Sequence, residues 1–331
     1  MKAYLIRRLL LIIPSFIGIS LITFLMLQLM PGNPVMLRLQ KLQGTMGAGS
    51  ISPAIIEETK RLYGLDKPIY VQYGLWVGRM CMLDFGTSYK DRRPVRDKIL
   101  EALPVTLQLS VASIFLIYLF SIPIGVYSAT HQRTVSDGII TAFLFLLYSL
   151  PSFWVAMLLI YFLGSGQPFS WFPIYGVRSL DADSMTWFEA VKDRLWHMVL
   201  PVFCLTYAGL AQLSQFSRSG MIDVIRQDYI RTARAYGFTE RVVIFKYAMR
   251  NALIPIITLL ANVLPAMIGG SVIIENIFSI PGMGRLSFES LLARDYPMVM
   301  GLLTVSALLT LAGLILSDIL YAITDPRIKF E

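Results

Sequence analysis

Hydrophobic residues are concentrated in long stretches without a single charge. Reading from one Asp, Glu, Lys or Arg to the next, six stretches of at least 22 residues stand out. They are residues 9–37, 102–132, 138–177, 195–217, 251–274 and 296–317. An α-helix rises about 1.5 Å per residue, so about 20 apolar residues cross the hydrocarbon core of a bilayer. The pattern therefore predicts an all-α protein that crosses a membrane several times.

One transmembrane helix is expected in each stretch. The six expected spans are Leu5–Met30, Leu103–Ala129, Gly138–Leu163, His197–Ser217, Ala252–Ile274 and Met298–Ile323. The first apolar run is longer than the core of a signal peptide and shows no small-residue cleavage site, so we expect it to be a retained helix.

Composition excludes several classes of protein. Of the 331 residues, 56% are hydrophobic and only 15% are charged, against about 25% in soluble domains. The two cysteines and two histidines form no metal-ligand pattern, and the chain has no phosphate-binding GxxxxGKS/T loop. A soluble enzyme, a His-rich metal site and ATP binding by a P-loop of this chain are therefore excluded.

The distribution of Lys and Arg predicts the orientation. The net charge is +8, but the basic residues lie in loops between the expected spans, so no nucleic-acid partner is expected. Loops longer than about 60 residues are discounted in the positive-inside rule, which removes the loop 31–102. The remaining loops carry 13 basic residues on the side of the termini and 5 on the other side. Both termini are therefore predicted to be cytoplasmic.

A few polar residues lie inside the expected spans. Because polar groups in lipid are costly, such side chains should face the interior of the helix bundle or an aqueous path. Gln108, Gln212 and Asn262 are the candidates for lining a translocation path. The alternative is that these amides form hydrogen bonds between helices.

Residues 218–250 form the only large loop on the predicted cytoplasmic side. Apolar residues recur at helical spacing on one face: Ile222, Ile225, Tyr229, Ala233 and Tyr236. Gly237 is expected to end this helix with a positive φ, and Thr239 is a candidate N-cap for a second helix. Two helices that meet at a glycine suit insertion into a groove on a cytosolic partner. The alternative is an ordinary amphipathic loop at the membrane surface.

The same loop resembles a known family. Tyr229-Ile-Arg-Thr-Ala-Arg-Ala-Tyr-Gly-Phe238, followed by Arg250-Asn-Ala-Leu-Ile-Pro255, resembles the ATPase-contacting loop of the peptide-type permeases of bacterial ABC importers. In the wider class this loop begins Glu-Ala-Ala and continues to a glycine; here those positions are Arg231, Thr232, Ala233 and Gly237. The missing acidic residue, and a missing proline further on, are departures typical of the peptide branch.

Other short segments resemble the same branch, in the expected order. They are Met30-Pro-Gly-Asn-Pro34, Gly64-Leu-Asp-Lys-Pro68, Gln72-Tyr73, Asp84-Phe-Gly86 with Ser88, Pro94-Val95, Glu275 with Phe278, Pro281-Gly-Met-Gly284, Asp295-Tyr-Pro297 and Asp325-Pro-Arg327. Each segment alone is weak, but together they cover nearly the whole chain.

The resemblance implies an organisation and a set of partners. It implies a five-helix core of a type I ABC importer permease at 97–323, preceded by an N-terminal helix at 1–30 and an extracytoplasmic element at 31–96, and followed by a tail at 324–331. It also implies a second homologous permease subunit, an extracytoplasmic solute-binding protein, and two cytosolic ATPases that bind the ATP and magnesium. On this resemblance the chain itself is expected not to be an enzyme and to bind no cofactor. The residues expected to contact an ATPase are Arg231, Thr232, Ala233, Arg234, Gly237, Phe238, Thr239, Glu240 and Arg241.

The function expected from the resemblance is peptide import across the bacterial cytoplasmic membrane. Related permeases also carry glutathione or nickel complexes, so these substrates stay open. An ion-coupled secondary transporter is the alternative mechanism, but it would need paired intramembrane charges, and Asp318 stands alone in its expected span. A membrane scaffold or receptor is a further alternative, which would not need the glycine-centred bend.

Overall fold

The computed structural model describes residues 2–29, 67–164, 169–253, 256 and 269–324. Within these ranges the chain is helical, and its only β contacts are two isolated bridges, Thr87 with Pro94 and Gly164 with Phe172. The helices are α1 (Lys2–Leu29), α2 (Ile69–Cys81), α3 (Val95–Thr130), α4 (Val135–Ser149), α5 (Ser152–Leu163), α6 (Trp187–Ile225), α7 (Asp228–Ala235), α8 (Glu240–Val242), α9 (Met249–Ala252), α10 (Val272–Ile277), α11 (Met283–Leu292) and α12 (Tyr296–Thr324). A 3₁₀ turn at Ala182–Ser184 and a π-helical turn at Val243–Ala248 complete the set.

Three of the described helices are long and apolar enough to cross a membrane. They are α3, α6 and the Tyr296–Leu316 part of α12; α3 and α6 cover the expected second and fourth spans, and Tyr296–Leu316 covers most of the expected sixth span. The first expected span coincides with α1. Most of the fifth expected span, Ala252–Ile274, lies outside the described residues.

The third expected span is not one straight helix. Residues 138–163 were expected as a single span, but α4 and α5 meet at 95°. Pro151 is the cause, because its ring excludes the carbonyl of residue i−4 and disfavours a helical conformation at Leu150. Both residues are extended, with ψ of 125° and 134°. The Leu150 carbonyl accepts a hydrogen bond from Tyr207 Oη at 2.7 Å, so the break leaves it satisfied.

The described chain forms two compact units. The larger is built mainly from Glu101–Phe288, and the smaller from Leu5–Leu100 with Glu289–Leu308.

In the larger unit, α3 packs on α6 through small residues. A Cβ placed on Gly125 would overlap the Ser217 side chain and come within 2.7 Å of the Ser214 carbonyl oxygen. Ser121 Oγ donates to the Leu210 carbonyl at 3.0 Å, across the same interface. Small residues let helix backbones approach closely, which is how helices associate where lipid removes the hydrophobic driving force.

A buried ion pair ties three helices together where loop 218–250 begins. Asp137, in the first turn of α4, is 5% exposed. Its carboxylate accepts hydrogen bonds from Arg218 Nη2 at 2.9 Å and Nε at 3.2 Å. It also accepts from Ser128 Oγ on α3 and from the Arg133 backbone N–H at 3.2 Å. The last part of α6 is therefore fixed to α3 and α4 by charge as well as by packing.

In the smaller unit, segments far apart in sequence meet at a buried carboxylate. Asp295 accepts hydrogen bonds from Ser88 Oγ and from the Tyr89 backbone N–H, the latter at 3.0 Å. Two of the family-like segments, near 84–88 and at 295–297, therefore serve to hold this unit together.

The turn that carries Ser88 holds a second carboxylate, outside the spanning segments. Burial raises the pKa of Asp91, but hydrogen bonds from Lys98 Nζ and the Arg93 backbone N–H outweigh it and lower the pKa to about 2. Asp91 is therefore ionised at neutral pH and pairs with Lys98 at 2.7 Å.

Gly125→Ala should destabilise the protein because the new methyl group has no room between α3 and α6. Overpacking of this kind costs about 1–3 kcal/mol, so we expect a lower midpoint of thermal unfolding in detergent. Gly138→Ala is the matched control, since a Cβ at Gly138 meets nothing within 4 Å and alanine favours helix. Equal midpoints for the two variants would contradict the proposed close packing.

Arg218→Ala should also destabilise the protein, because it leaves the Asp137 carboxylate buried without its cation. Removing one partner of a buried pair costs about 3–5 kcal/mol, and we expect the lower end because the Arg218 side chain is 28% exposed. Arg231→Ala is the control: its pair with Asp228 is exposed and should contribute less than about 1 kcal/mol. A thermal midpoint of Arg218→Ala equal to that of Arg231→Ala would show that the pair does not anchor the loop.

Candidate functional site

Loop 218–250 is a helix–bend–helix whose first arm differs from the sequence prediction. A single helical face through Ile222, Ile225, Tyr229, Ala233 and Tyr236 was expected. Instead α6 ends at Ile225 and a new helix, α7, starts after an extended Gln227 with ψ of 150°.

The break changes which residues of α7 face inward: Ala233 stays on the buried side as predicted, but Ile230 takes the place expected for Tyr229 and Tyr236. Ile230 and Ala233 are buried in a cluster with Val126, Met221 and Val243, among others. Tyr236 is 78% exposed. Burial of Ile230 stabilises the turn between α6 and α7 by about 2 kcal/mol. A straight continuation of α6 would lose this stabilisation.

Gly237 ends α7 in the way that the sequence predicted. Its φ is +80°, in the left-handed region that only glycine enters without strain. Its N–H donates to the Arg234 carbonyl at 2.9 Å, and the Phe238 N–H reaches the Ala233 carbonyl at 3.4 Å. This is the hydrogen-bonding pattern of a glycine C-cap.

The bend is closed by an ion pair that sequence reasoning missed. Thr239 does occupy the N-cap position of α8, as predicted, but its side chain makes no capping hydrogen bond. Arg234 and Glu240 face each other across the glycine instead, with Nε to Oε1 at 2.7 Å and Nη2 to Oε2 at 3.2 Å. Two parallel hydrogen bonds fix the geometry of the pair, although exposed pairs of this kind contribute little stability.

The second arm returns to the membrane helices through a π-helical turn. A second helix was expected from Thr239 onward; the chain is helical there, but with π geometry at Val243–Ala248 before α9. Two further contacts hold the bend together: Asn251 Nδ2 donates to Tyr229 Oη at 2.8 Å, and the rings of Phe238 and Tyr247 lie 5.5 Å apart. The bend is therefore a closed element with its own internal contacts.

Most of the predicted contact residues are exposed on this bend. Arg231, Thr232, Arg234, Gly237, Phe238, Thr239, Glu240 and Arg241 all face solvent. Ala233 is an exception, because it is buried in the core of the loop and offers no surface to a partner. Sequence reasoning missed Tyr236, whose exposed ring adds to a surface of aromatic and arginine side chains. Such side chains dominate the binding energy of protein interfaces.

The candidate path residues lie in separate grooves. Gln108 lines a groove of about 510 Å³ between α3 and α6. Gln212 lines another, of about 420 Å³, between α4 and α6. Both side chains are exposed, and Asn262 lies outside the described residues. The structure therefore does not bring Gln108 and Gln212 together in one cavity.

Sequence reasoning also missed the role of Glu275. This carboxylate is 1% exposed and accepts from Thr106 Oγ1 and from the Arg285 N–H, both at 2.9 Å. A Cβ on Gly282 would come within 2.5 Å of the carboxylate. The signal for this role in the sequence was the short spacing between Glu275 and the Pro281-Gly-Met-Gly284 segment. In the structure the Glu275 carboxylate holds this segment in a buried turn.

The fold has a counterpart among solved structures. A chain of the MetNI methionine ABC transporter in an inward-facing conformation matches with a TM-score of 0.52 over 69% of this chain and 96% of that chain. The sequence identity is 14%, so the match concerns the fold alone.

Sequence comparisons point in the same direction over the full length. The oligopeptide transport system permease protein AppB of Bacillus subtilis is 42% identical, with all of both chains covered. The inner membrane ABC transporter permease protein YejB of Escherichia coli O157:H7 is 35% identical and the dipeptide transport system permease protein DppB of Alkalihalophilus pseudofirmus 33%, again over all of both chains. The family model of the binding-protein-dependent transport system inner membrane component matches residues 121–330, and the model of the N-terminal part of such components matches 1–110. The chain belongs to the family of binding-protein-dependent transport system inner membrane components.

Proposed function

We propose that the chain is a permease subunit of an ATP-driven importer that carries peptides. The observation that carries the proposal is the exposed bend centred on Gly237, which presents arginine and aromatic side chains at the end of a spanning helix. The substrate class follows the names of the full-length relatives, which are described as oligopeptide and dipeptide permeases. Glutathione and nickel complexes are the alternative substrates.

The proposed arrangement has six spans with both termini in the cytoplasm of a bacterium. The N-terminal helix occupies 1–30, an extracytoplasmic element 31–96, the five-helix core 97–323 and a cytoplasmic tail 324–331. The chain pairs with a second, homologous permease subunit, and a solute-binding protein delivers the peptide from outside. Two cytosolic ATPases bind ATP and magnesium, so this subunit needs no cofactor and does no catalysis.

In the proposed mechanism, the bend sits in a groove on one ATPase. When the ATPases close on ATP, they push the bend. The buried face of the bend contacts α6 through the cluster around Ile230 and Met221, so α6 is displaced with it. The Asp137–Arg218 ion pair transmits the same displacement to α3 and α4. The translocation path then opens outward to accept substrate from the solute-binding protein, which requires two discrete states that both ligands bias. Gln108, Gln212 and Asn262 are proposed to line the path on the substrate side.

Gly237→Val should uncouple ATP hydrolysis from uptake. A β-branched residue at a φ of +80° costs about 1–2 kcal/mol, and we expect uptake to fall by about tenfold, the factor that 1.4 kcal/mol represents. Gly237→Pro should be more severe, because proline fixes φ near −65° and removes the N–H that donates to Arg234. The measurement compares uptake with ATP hydrolysis in proteoliposomes that contain the whole transporter.

Gly237→Asn is the matched control for this experiment. Asparagine tolerates positive φ, and a Cβ at this position meets no atom within 4 Å, so uptake should stay close to wild type. If Gly237→Val took up peptide normally and bound the ATPases normally, the bend would not be the coupling element.

The energy source separates the proposal from a secondary transporter. Uptake of a dipeptide into proteoliposomes should stop when ATP is withheld and continue when a protonophore collapses the proton gradient. The opposite pattern would assign the chain to ion-coupled transport. Competition by glutathione or a nickel complex in the same assay would change the substrate class and leave the ATP-driven mechanism in place.

A further inference from the structure

The second arm of loop 218–250 contains one residue more than an α-helix would need. The chain is helical from Glu240 to Ala252, but the six residues Val243–Ala248 have π geometry, in which hydrogen bonds run from residue i to i+5. A single turn of this kind inserts one residue into an α-helix and is frequent at functional sites. Neither glycine nor proline occurs in the segment, so its local sequence does not forbid α geometry.

The burial pattern of this arm shows the effect of the extra residue. Val243, Ala248 and Ala252 are 1%, 0% and 4% exposed and belong to one apolar cluster. The first two are five residues apart and the last two are four apart. In an α-helix each residue turns the chain by about 100°, so a spacing of five would place Val243 about 140° away from Ala248. The π turn is what brings both side chains onto the buried face.

An α-helical turn would bury Ile244 in place of Val243. Ile244 lies four residues before Ala248, and Ala252 lies four residues after it, so α geometry places all three on one face. Ile244 is already partly buried against the same cluster. Because Val243 and Ile244 are both β-branched and aliphatic, either one fills this position with a similar apolar area. The sequence is therefore compatible with two registers: a π register with Val243 inside and an α register with Ile244 inside.

Exchange between the two registers would rotate the bend. A shift by one residue turns the chain before the π turn by about 100° relative to α9. In the π register Glu240 faces Arg234, with Oε1 and Nε 2.7 Å apart; in the α register Arg241 takes the position of Glu240. The exposed pair Arg234–Glu240 opposes this exchange only weakly. Two arginines then lie side by side, and a partner with acidic side chains favours that arrangement.

We propose that the π turn at Val243–Ala248 is a two-register switch through which the bend rotates when the ATPases close. The π register belongs to the resting transporter. The α register belongs to the closed state, in which acidic side chains of the ATPase pair with Arg234 and Arg241. The step is discrete, because a rotation halfway between the registers would leave neither Val243 nor Ile244 in the cluster. This inference rests on the proposed function and supplies the two states that its coupling requires.

Cysteine labelling measures the register directly on the whole transporter. Val243→Cys and Ile244→Cys are made separately in a Cys81→Ser background, because Cys81 is exposed whereas Cys204 is buried. Each variant is labelled with N-ethylmaleimide, first without nucleotide and then with the ATPases closed by ATP and vanadate. Closure should raise the labelling rate of Val243→Cys about tenfold and lower that of Ile244→Cys by a similar factor, because protection follows the population of the register that buries the thiol.

Deletion of Ile244 removes the switch and keeps the buried contacts. Without the extra residue, Val243 lies four residues before Ala248, so an ordinary α-helix buries both and the bend keeps its present orientation. The variant should fold and bind the ATPases, and ATP hydrolysis should continue while peptide uptake falls by about tenfold or more. Ile244→Val is the matched control, because it keeps the chain length and both registers and should take up peptide as wild type does.

Two results would overturn the switch. Labelling rates that stay constant, or that change in the same direction at both positions, would show that the turn keeps one register. Normal uptake by the Ile244 deletion would show that the extra residue has no part in coupling. If the deletion variant does not fold, the labelling rates decide alone. If wild type takes up no peptide with ATP, the proposed function fails, while opposite changes of the two labelling rates would still establish the register shift.

Discussion

Hydrocarbon offers no hydrogen-bonding partner, so a polar group in the spanning part of this protein is costly unless it finds a partner inside the protein. This constraint explains why the described chain is helical, and why its breaks occur where a partner is available. At Leu150–Pro151 the break leaves the Leu150 carbonyl without a helical partner, and this carbonyl accepts a hydrogen bond from Tyr207 on α6. The buried carboxylate of Asp137 is met by Arg218 and Ser128, and that of Glu275 by Thr106 and a backbone N–H. In each case a polar contact decides which helices stay together.

Much of this architecture follows from local signals in the sequence, because hydropathy and glycine chemistry act over a few residues. The spans at α3, α6 and α12 and the positive φ of Gly237 were predictable for that reason. The break at Pro151 was also encoded locally, but a continuous run of apolar residues on both sides concealed it. The end of α6 at Ile225 had no local signal, since neither glycine nor proline lies there. It depends on the burial of Ile230 against residues distant in sequence.

The same distinction between local and long-range signals applies to the candidate site. Its exposed residues were predictable from the family-like segment, whereas the contacts that shape it were not. The pair Asp137–Arg218 joins residues 81 positions apart, and no periodicity relates them. Ala233 was assigned to the contact surface because it occupies a motif position, but it also lies on the apolar face that the helical spacing predicts, and the structure buries it there. A motif therefore indicates the segment that is proposed to act, and packing decides which of its side chains can be reached.

Two of the ion pairs of the loop, one at its tip and one at its base, differ in a way that matters for the proposed coupling. Arg234–Glu240 at the tip is exposed on both sides, so water competes for it and its contribution to stability is small. Asp137–Arg218 at the base is largely buried, so breaking it leaves a carboxylate without its cation. The tip can adjust to the surface of a partner at little cost, while the base holds its geometry under load. The proposed coupling needs this order of stiffness, because a compliant base would absorb the displacement that α6 is proposed to transmit.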